Sequence, residues 1–415
     1  MGIDHKNLNS RYLELFTSAL LVLTVLFPLS SEAKVEGDTI TLGAAVSLTG
    51  KYATNGKHTK NGYDLGVKIV NERGGIKVAG KTYKFAIKYY DDESTPARGA
   101  QLAERLIKQD NIKFLLGPYG SGLTKAMAPI TEKYKVPMVE ANGASLSLFN
   151  NGYRYLFAIL STTEQYLQSA ISLVATVSKN PEKVRIAGAF ENDPFSQDIR
   201  NGVFDDAKRL GMKTVIDDKL PPDLNDMSAT LTKVKALKPD LLVISGHAKG
   251  ATLAIRQVSD MKVNVPMLAL THCDSADIIG KFGKAAEYVL CASQWDRSLA
   301  YKDAFFGSAE NFAQGFEKSY GYAPPYQAAE SAAALLVYKD AFERAATFDP
   351  SKVRDAIATT DMQTFYGNIK FDSSGKNIAK PMVLYQVQDG QYKVVAPTEW
   401  AASKLRWPTP PWHKR

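Results

Sequence analysis

Two strand-to-helix turns, GPYGSGLT (Gly117–Thr124) and EANGAS (Glu140–Ser145), follow the apolar runs Phe114–Leu116 and Val136–Val139. Each turn offers glycine and a hydroxyl where the chain must reverse. In an open parallel sheet such turns line up along the carboxyl edge, where ligands bind. Backbone N–H groups at the start of the following helix suit an anionic group such as a carboxylate. The two turns therefore predict a site for a small anionic solute.

Short apolar runs alternate with helical patterns on both sides of these turns. Strands are predicted at Ile40–Val46, Tyr83–Tyr89, Val184–Ala189, Met212–Ile216, Leu241–Ser245, Pro266–Leu270 and Tyr288–Ala292, and helices at Gly62–Asn71, Ala97–Gln109, Ser196–Leu210, Met227–Leu237 and Ala248–Met261. Residues 304–359 are helix-rich, and Ile369–Val394 predicts a terminal pair of strands around Asp389-Gly390. The alternation is typical of βαβ units in parallel sheets. A chain of 415 residues exceeds one ordinary core, so two lobes are expected, the second beginning near Thr163.

The first 33 residues have the layout of a secretory signal peptide. Lys6 and Arg11 precede an apolar stretch from Leu13 to Leu29, and Ser31-Glu32-Ala33 gives a small-x-small cleavage pattern. An uncleaved membrane anchor is the alternative, because the apolar stretch is long. Either interpretation predicts export, with a periplasmic location and a soluble remainder.

Composition excludes several classes of protein. With 45% apolar and 23% charged residues, the chain is globular rather than disordered. The net charge of +8 is carried by scattered residues without an arginine-rich run, so no nucleic-acid partner is expected. Cys273 and Cys291 could form one disulfide or remain two buried thiols, and no zinc-ligand spacing is present. No cofactor is expected.

Three segments together carry a family resemblance. They are DTITLGAAVSLTGKYATNGKHTKNGYDLGVKIVNERGGI (38–76), YYDDESTP (89–96) and LLGPYGSGLTKAMAPITEKYKVPMVEANGAS (115–145). This combination resembles the extracytoplasmic solute-binding proteins of ABC transporters, in the branched-chain and hydrophobic amino-acid (Leu/Ile/Val-binding) family. The resemblance covers Thr39 to about Pro397.

The resemblance implies an α/β type I periplasmic-binding fold, with two doubly wound parallel-sheet lobes joined by three hinge crossings. Lobe one would comprise 38–159 plus 297–372, lobe two 160–296 plus 373–400, and the surface tail 401–415, with crossings near Leu160, Asp296 and Asp372. It also implies that the protein is monomeric, binds a small-molecule carboxylate by lobe closure, and then docks on a membrane permease.

Family contacts in lobe one carry over onto the two turns. Ser121, with Tyr119 and Gly120 beside it, matches the serine that holds the ligand carboxylate, although Ser121 could be only a helix N-cap. The backbone of Gly143, Ala144 and Ser145 would complete this clamp. Asn142 is either part of the clamp or a turn residue.

Family contacts in lobe two fall on Phe195 in FENDPFS and His247 in SGHAKG. Aromatic rings at these positions would stack over the ligand. A core histidine is an equal alternative for His247. Tyr52 and Trp295 extend the candidate aromatic wall, and each of these aromatic residues could instead be core.

One departure from the family concerns the ligand's ammonium group. Where amino-acid binders carry an acid, this chain has Thr271-His272, with Asp274 expected to lie out of reach. A buried ammonium without a carboxylate partner is costly. The sequence therefore favours a carboxylic acid, aromatic acids included, over an α-amino acid, with Thr271 as the contact.

Two other classes of function compete with a transport protein. An enzyme is not expected, because the chain lacks a P-loop, H-E-x-x-H, G-x-S-x-G and a dinucleotide-binding G-x-G-x-x-G. A ligand-sensing receptor module of the same fold, acting through a separate signalling partner, is the alternative.

Overall fold

The computed structural model of the protein describes residues 35–415. Its strands are β1 (Val35–Glu36), β2 (Thr39–Val46), β3 (Ile76–Val78), β4 (Lys81–Asp91), β5 (Leu115–Leu116), β6 (Met138–Glu140), β7 (Leu156–Ala158), β8 (Arg185–Glu191), β9 (Lys213–Leu220), β10 (Leu241–Ser245), β11 (Met267–Thr271), β12 (Leu290–Ser293), β13 (Lys302–Asp303), β14 (Gly307–Ser308), β15 (Asp361–Gln363), β16 (Asn368–Lys370), β17 (Val383–Gln388) and β18 (Gln391–Ala396). Its helices are α1 (Ala53–Glu72), α2 (Pro96–Lys108), α3 (Ser121–Tyr134), α4 (Gln168–Ser178), α5 (Pro194–Arg209), α6 (Ser228–Leu237), α7 (Ala248–Asp260), α8 (Ile278–Phe282), α9 (Ala309–Tyr320), α10 (Tyr326–Ala345) and α11 (Pro350–Ala358).

Two parallel-dominated sheets organise the chain. The first has the strand order β3-β4-β2-β5-β6-β7, with β1 paired to β2, and the second has the order β18-β17-β12-β11-β10-β8-β9. Strands β4, β2, β5, β6 and β7 are parallel to one another, as are β9, β8, β10, β11 and β12. The flanking pairs β3–β4, β1–β2, β12–β17 and β17–β18 are antiparallel. In the first sheet β4 is added on one side of β2, and β5, β6 and β7 are then added on the other side. In the second sheet β9 is added on one side of β8, and β10, β11 and β12 on the other, so the strand order reverses once in each sheet. This is the doubly wound pattern, and it confirms the predicted fold class.

The chain passes between the two sheets three times. It leaves the first sheet after β7, enters the second at β8, and leaves the second after β12. Helix α10 then packs along α1, and the chain returns to the second sheet at β17. The positions of the crossings, near Leu160, Asp296 and Asp372, and the exact lobe boundaries stay predictions.

Helix α1 begins nine residues earlier than the predicted Gly62, at Ala53. Its first half is polar and glycine-containing, which lowers helix propensity. Tertiary packing decides the outcome, because a Cβ on Gly62 would lie 2.3 Å from the carbonyl oxygen of Ala328 in α10. Glycine lets the two helices approach this closely, and sequence periodicity alone could not detect it.

The terminal pair of strands was predicted too long. The turn at Asp389-Gly390 is correct, but the pair comprises only β17 and β18. Ile369 belongs instead to β16, which pairs with β15. An apolar run alone does not show which partner strand it meets.

The sequence left the state of the two cysteines open, and the structure bonds Cys273 to Cys291. The bond links the end of β11 to β12. The tail also packs on this lobe, where Trp412 donates from its indole nitrogen to the carbonyl of Val263 at 2.8 Å. The predicted surface course of residues 401–415 is consistent with these contacts.

The predicted signal peptide, residues 1–33, lies outside the described residues. From residue 35 onward, no helix is long and apolar enough to cross a membrane.

Candidate functional site

The carboxyl ends of both sheets meet in one cleft. Residues that follow strands of the first sheet are Tyr52, Tyr119 and Asn142, and residues that follow strands of the second are Phe195, His247 and His272. All six are buried. In each sheet the strand order reverses between two of these strands, β2 and β5 or β8 and β10. Ligands of doubly wound proteins bind at such a point, next to the carboxyl ends of the strands.

The Tyr90-Asp91-Asp92 segment positions the loop that carries Tyr52. Asp91 Oδ1 accepts hydrogen bonds from the backbone N–H groups of Leu48 and Thr49, at 3.0 and 3.2 Å. Asp92 accepts from Ser47 at 2.6 Å. The two carboxylates fix the turn between β2 and α1, so Tyr52 is held at the edge of the cleft.

A hydroxyl–imidazole cluster crosses the cleft. The Tyr119 hydroxyl lies 2.8 Å from Nδ1 of His247 and 2.9 Å from Nε2 of His272. The hydroxyl of Tyr326, at the start of α10, also lies 3.3 Å from that Nε2. Direct hydrogen bonds therefore join residues of the first lobe to two histidines of the second.

The direction of these hydrogen bonds follows from His272. Its Nδ1 lies 2.9 Å from the carbonyl oxygen of Gly246, which can only accept, so Nδ1 carries the hydrogen. Burial, and then the nearby His247, lower the pKa of His272 to about 3, so its ring is neutral and Nε2 accepts. Tyr119 therefore donates to His272 and accepts from the Nδ1–H of His247.

Two carboxyl groups lie near the ring nitrogen of His247 that does not contact Tyr119. Its Nε2 lies 3.6 Å from Oδ2 of Asp193, and Glu191 is close by. Burial opposes the charged ring, but Asp193 and then Glu191 outweigh it and raise the pKa of His247. Asp193 also caps α5 by accepting from the N–H of Ser196 at 3.1 Å. Within residues 35–415, these three side chains are the only group with ligand atoms close enough to hold a metal ion, all within 4.8 Å of one another.

Aromatic rings pack around the histidines, and they include Tyr52 and Phe195 of the predicted aromatic wall. The ring centroid of Tyr52 lies 4.6 Å from that of His247, and the ring of Phe195 lies 5.4 Å from it. Phe195 also packs edge-on against Tyr166 at 5.1 Å. The cleft therefore presents flat apolar surfaces with a hydroxyl and two imidazoles among them.

Ser121 is the first residue of α3, and the N-cap is Gly120, whose φ of 90° suits glycine. The interpretation of Ser121 as an N-cap is therefore wrong. Its hydroxyl accepts from the N–H of Ser145 at 3.0 Å, so the two predicted turns do meet. The Ser145 hydroxyl, in turn, donates to Asp198 of α5. Ser145 thus contributes a bridge between the lobes.

In the second turn, two backbone N–H groups donate hydrogen bonds to a buried carboxyl group. Glu140 Oε1 accepts from the N–H groups of Asn142 and Gly143, at 2.5 and 2.8 Å. Burial raises the pKa of Glu140 to about 7, against these bonds and one from Thr124, which lower it. In this conformation the N–H of Gly143 is bonded to Glu140 and is not free for a ligand carboxylate. Ala144 is buried beside it.

Two predicted site residues are not brought to the cluster. The hydroxyl of Thr271 donates to the carbonyl of Gly246 at 2.7 Å and makes no hydrogen bond to Tyr119, His247 or His272. Trp295 packs edge-on against Phe312 and donates to the carbonyl of Phe365 at 3.1 Å. Trp295 also lines a separate cavity of about 940 Å³.

Sequence reasoning did not select three residues that shape the cleft. They are Asp193, Asp198 and Tyr326. The signal for Asp193 was present, since an acid immediately before a proline that opens a helix is a capping pattern. Asp198 and Tyr326 come from a helix interior and a remote helix, where no local pattern marks them.

Comparison with known proteins identifies the class and then the family. The two doubly wound lobes and the cleft between them define a two-lobed α/β binding protein. A family model described as periplasmic binding protein matches residues 39–391. The chain belongs to this family, whose members are solute-binding proteins rather than enzymes. The resemblance seen in the sequence is thereby confirmed.

Individual relatives are distant but nearly full-length. Leu/Ile/Val-binding protein homolog 7 of Brucella suis biovar 1 (strain 1330) is 22% identical over 406 residues, covering 94% of this chain and 99% of the relative. The substrate-binding protein LivJ of Streptococcus pneumoniae, solved with isoleucine, has a TM-score of 0.75 at 21% identity, covering 86% of this chain and 100% of that one. A solute-binding protein of R. palustris, solved with benzoate, has a TM-score of 0.74 at 17% identity, covering 88% and 99%.

Proposed function

We propose that this protein is the substrate-binding component of an ABC uptake transporter, working in the periplasm and delivering an aromatic carboxylic acid to a membrane permease. The observation that carries the proposal is the placement of His272. A neutral imidazole, hydrogen-bonded to Tyr119, lies at the position where the sequence resemblance implies an acid in amino-acid binders.

The ligand carboxylate is held at the start of α3. The first N–H groups of a helix have no partner within that helix, and the positive end of the helix dipole favours an anion. Ser121 opens this helix, and its hydroxyl is available to a second partner besides Ser145. Both features support a carboxylate at this turn.

The rest of the ligand lies against the aromatic wall. Tyr52 and Phe195 flank His247 from two sides and offer flat surfaces for a ring. Acids near β11 do not supply an ammonium partner, since Asp274 accepts from the N–H groups of Ser275 and Tyr326 at 2.8 and 3.2 Å. Asp193 and Glu191, the two acids of the cleft, lie against His247, which competes with a ligand ammonium for them. An aromatic acid therefore fits this site better than an α-amino acid.

Lobe closure completes the binding. Hydrogen bonds between the lobes include Tyr119 to His247, Ser145 to Asp198, and Asn55 to Ser275 at 3.1 Å. Contacts made only in the closed form shift the population toward it when ligand binds. The benzoate complex among the structural neighbours is consistent with such a ligand, and the isoleucine complex shows the competing class.

A thermal-shift screen tests this function. The purified protein is heated with benzoate, hydroxybenzoates, aliphatic acids, and leucine, isoleucine or valine. A ligand at about 100 times its Kd adds about 2.7 kcal/mol, which raises the Tm visibly. Stabilisation by aromatic acids supports the proposal. Stabilisation by branched-chain amino acids alone would refute it.

A further inference from the structure

Three buried polar side chains on the inner side of the cleft carry atoms that have no hydrogen-bond partner within the described residues. They are Asn142, Gln327 and Glu330, which are 6%, 0% and 1% exposed. Oδ1 of Asn142, both amide atoms of Gln327 and Oε1 of Glu330 make no hydrogen bond to any residue of 35–415. Buried polar atoms are almost always paired, so three such side chains require an explanation.

The three side chains belong to one locality. Asn142 donates from its amide nitrogen to the hydroxyl of Ser331 at 3.0 Å, and that hydroxyl donates to the carbonyl of Gln327 at 2.6 Å. Gln327 and Glu330 are three residues apart on α10, which places them on neighbouring positions of one helix face. The unpartnered atoms are thus collected at the first two turns of α10.

This locality adjoins the ligand cleft. Asn142 accepts at its carbonyl from the N–H of Gly120, the residue that precedes Ser121. On the other side, Tyr326 opens α10 directly before Gln327, and its hydroxyl reaches His272. Asn142 therefore borders the carboxylate turn, and the first turn of α10 borders the hydroxyl–imidazole cluster.

Their chemistry is unbalanced. Three oxygen atoms that can accept are set against one amide nitrogen that can donate. The other carboxylate oxygen of Glu330 already accepts from the hydroxyl of Tyr366 at 3.1 Å. A partner that satisfies this group must bring hydrogen-bond donors, which an alkyl or halogen substituent lacks.

We propose that Asn142, Gln327 and Glu330 form an inner polar subsite that binds a donor-bearing substituent of the ligand, such as a ring hydroxyl, in addition to its carboxylate. The inference rests on the proposed function and narrows the ligand to hydroxylated or amino-substituted aromatic acids. Gln327 and its neighbours then set specificity, because an analogue without the donor leaves their buried oxygens unpaired.

Matched ligand pairs test the subsite by calorimetry. The pairs are 3-hydroxybenzoate with 3-methylbenzoate and 4-hydroxybenzoate with 4-methylbenzoate, which differ little in size but differ in one donor. At least one hydroxyl ligand should bind about tenfold more tightly than its methyl partner. Gln327→Leu should remove most of that advantage while changing the affinity for benzoate less than about threefold. Gln314→Leu, at an exposed position of α9, is the matched control and should change neither.

Each outcome decides between the two proposals. Equal binding of hydroxyl and methyl partners by the unmodified protein, with benzoate bound, would overturn the subsite and leave the proposed function standing. Failure of every aromatic acid to bind would overturn both. If Gln327→Leu does not fold, Glu330→Gln, which keeps the shape of the side chain, replaces it. A crystal structure with only water at these three side chains beside bound 4-hydroxybenzoate and 3-hydroxybenzoate would also overturn the subsite.

Discussion

The hydroxyl of Tyr119 and Nδ1 of His247 lie 2.8 Å apart, although one follows a strand of the first sheet and the other follows a strand of the second. This hydrogen bond joins the lobes at the cleft. Burial alone would lower the pKa of His247, but Asp193 and then Glu191 raise it, which favours the charged form of the ring that donates to Tyr119.

Replacing Tyr119 by phenylalanine should weaken ligand binding. The aromatic ring remains, but the hydroxyl that donates to His272 and accepts from His247 is lost. These hydrogen bonds join the two lobes in the closed form, so the closed form is destabilised relative to the open form. Leaving a buried donor or acceptor without its partner costs about 1–3 kcal/mol, so Kd should rise by about tenfold. Isothermal titration with benzoate measures this. Tyr153→Phe, outside the cleft, is the control, and an equal effect of both variants would contradict the role of Tyr119.

Ser121→Ala tests the carboxylate turn. The change removes the hydroxyl and leaves the N–H of Ser145 without its partner, at a cost of about 1 kcal/mol to folding. Binding should weaken about tenfold, because a contact to an anion is lost as well. Calorimetry and thermal unfolding of the same preparation separate the two effects. A normal affinity in this variant would refute the assignment of Ser121.

Glu140 should make stability depend on pH. Its pKa is raised to about 7 by burial, above the value near 4.5 of an exposed glutamate. Between those two values the folded state binds the proton more often than the unfolded state does, so this group's stabilising contribution is present below pH 4.5 and is lost as pH rises through 7. Glu140→Gln should remove that dependence.

Urea unfolding at pH 5 and pH 7.5 measures the contribution of Glu140. The free energy of unfolding of the unmodified protein should fall, relative to that of Glu140→Gln, when the pH is raised. The fall is at most about 1.4 kcal/mol for each pH unit between the unfolded and folded pKa values of Glu140. Glu72→Gln, at a solvent-exposed position in the last turn of α1, is the control. A difference that does not change with pH would contradict the buried, proton-binding state of Glu140.

The disulfide between Cys273 and Cys291 should stabilise the second lobe. It closes a loop with a sequence separation of 18 residues, for which restriction of the unfolded chain gives about 3 kcal/mol. The double variant Cys273→Ser/Cys291→Ser should therefore unfold at a lower temperature. Addition of a reductant should lower the Tm of the unmodified protein and leave that of the variant unchanged.

Much of the fold could be predicted from the sequence because the signals are local. Strand and helix periods alternate regularly, and the turn at Asp389-Gly390 was placed correctly. The start of α1 was not, since it depends on Gly62 packing against Ala328, a contact between segments more than 250 residues apart. Such long-range packing leaves no periodic pattern.

The sequence predicted which strand ends carry the candidate site. It predicted less well which side chains at those ends face the cleft. After β11 the sequence favoured Thr271, whereas His272 faces the cleft. The backbone of His272 adopts φ of 61°, which turns its side chain differently from that of a continuing strand. The aromatic character of Trp295 suggested a ligand contact, but its indole bonds to Phe365 within the core.

A crystal structure of the protein with benzoate would show directly where the ligand carboxylate binds. We expect the carboxylate to lie within hydrogen-bond distance, about 2.7–3.2 Å, of the Ser121 hydroxyl or of the first N–H groups of α3. The ring should lie between Tyr52 and Phe195. A carboxylate bound instead in the separate cavity beside Trp295, or a ring outside the aromatic wall, would contradict the account.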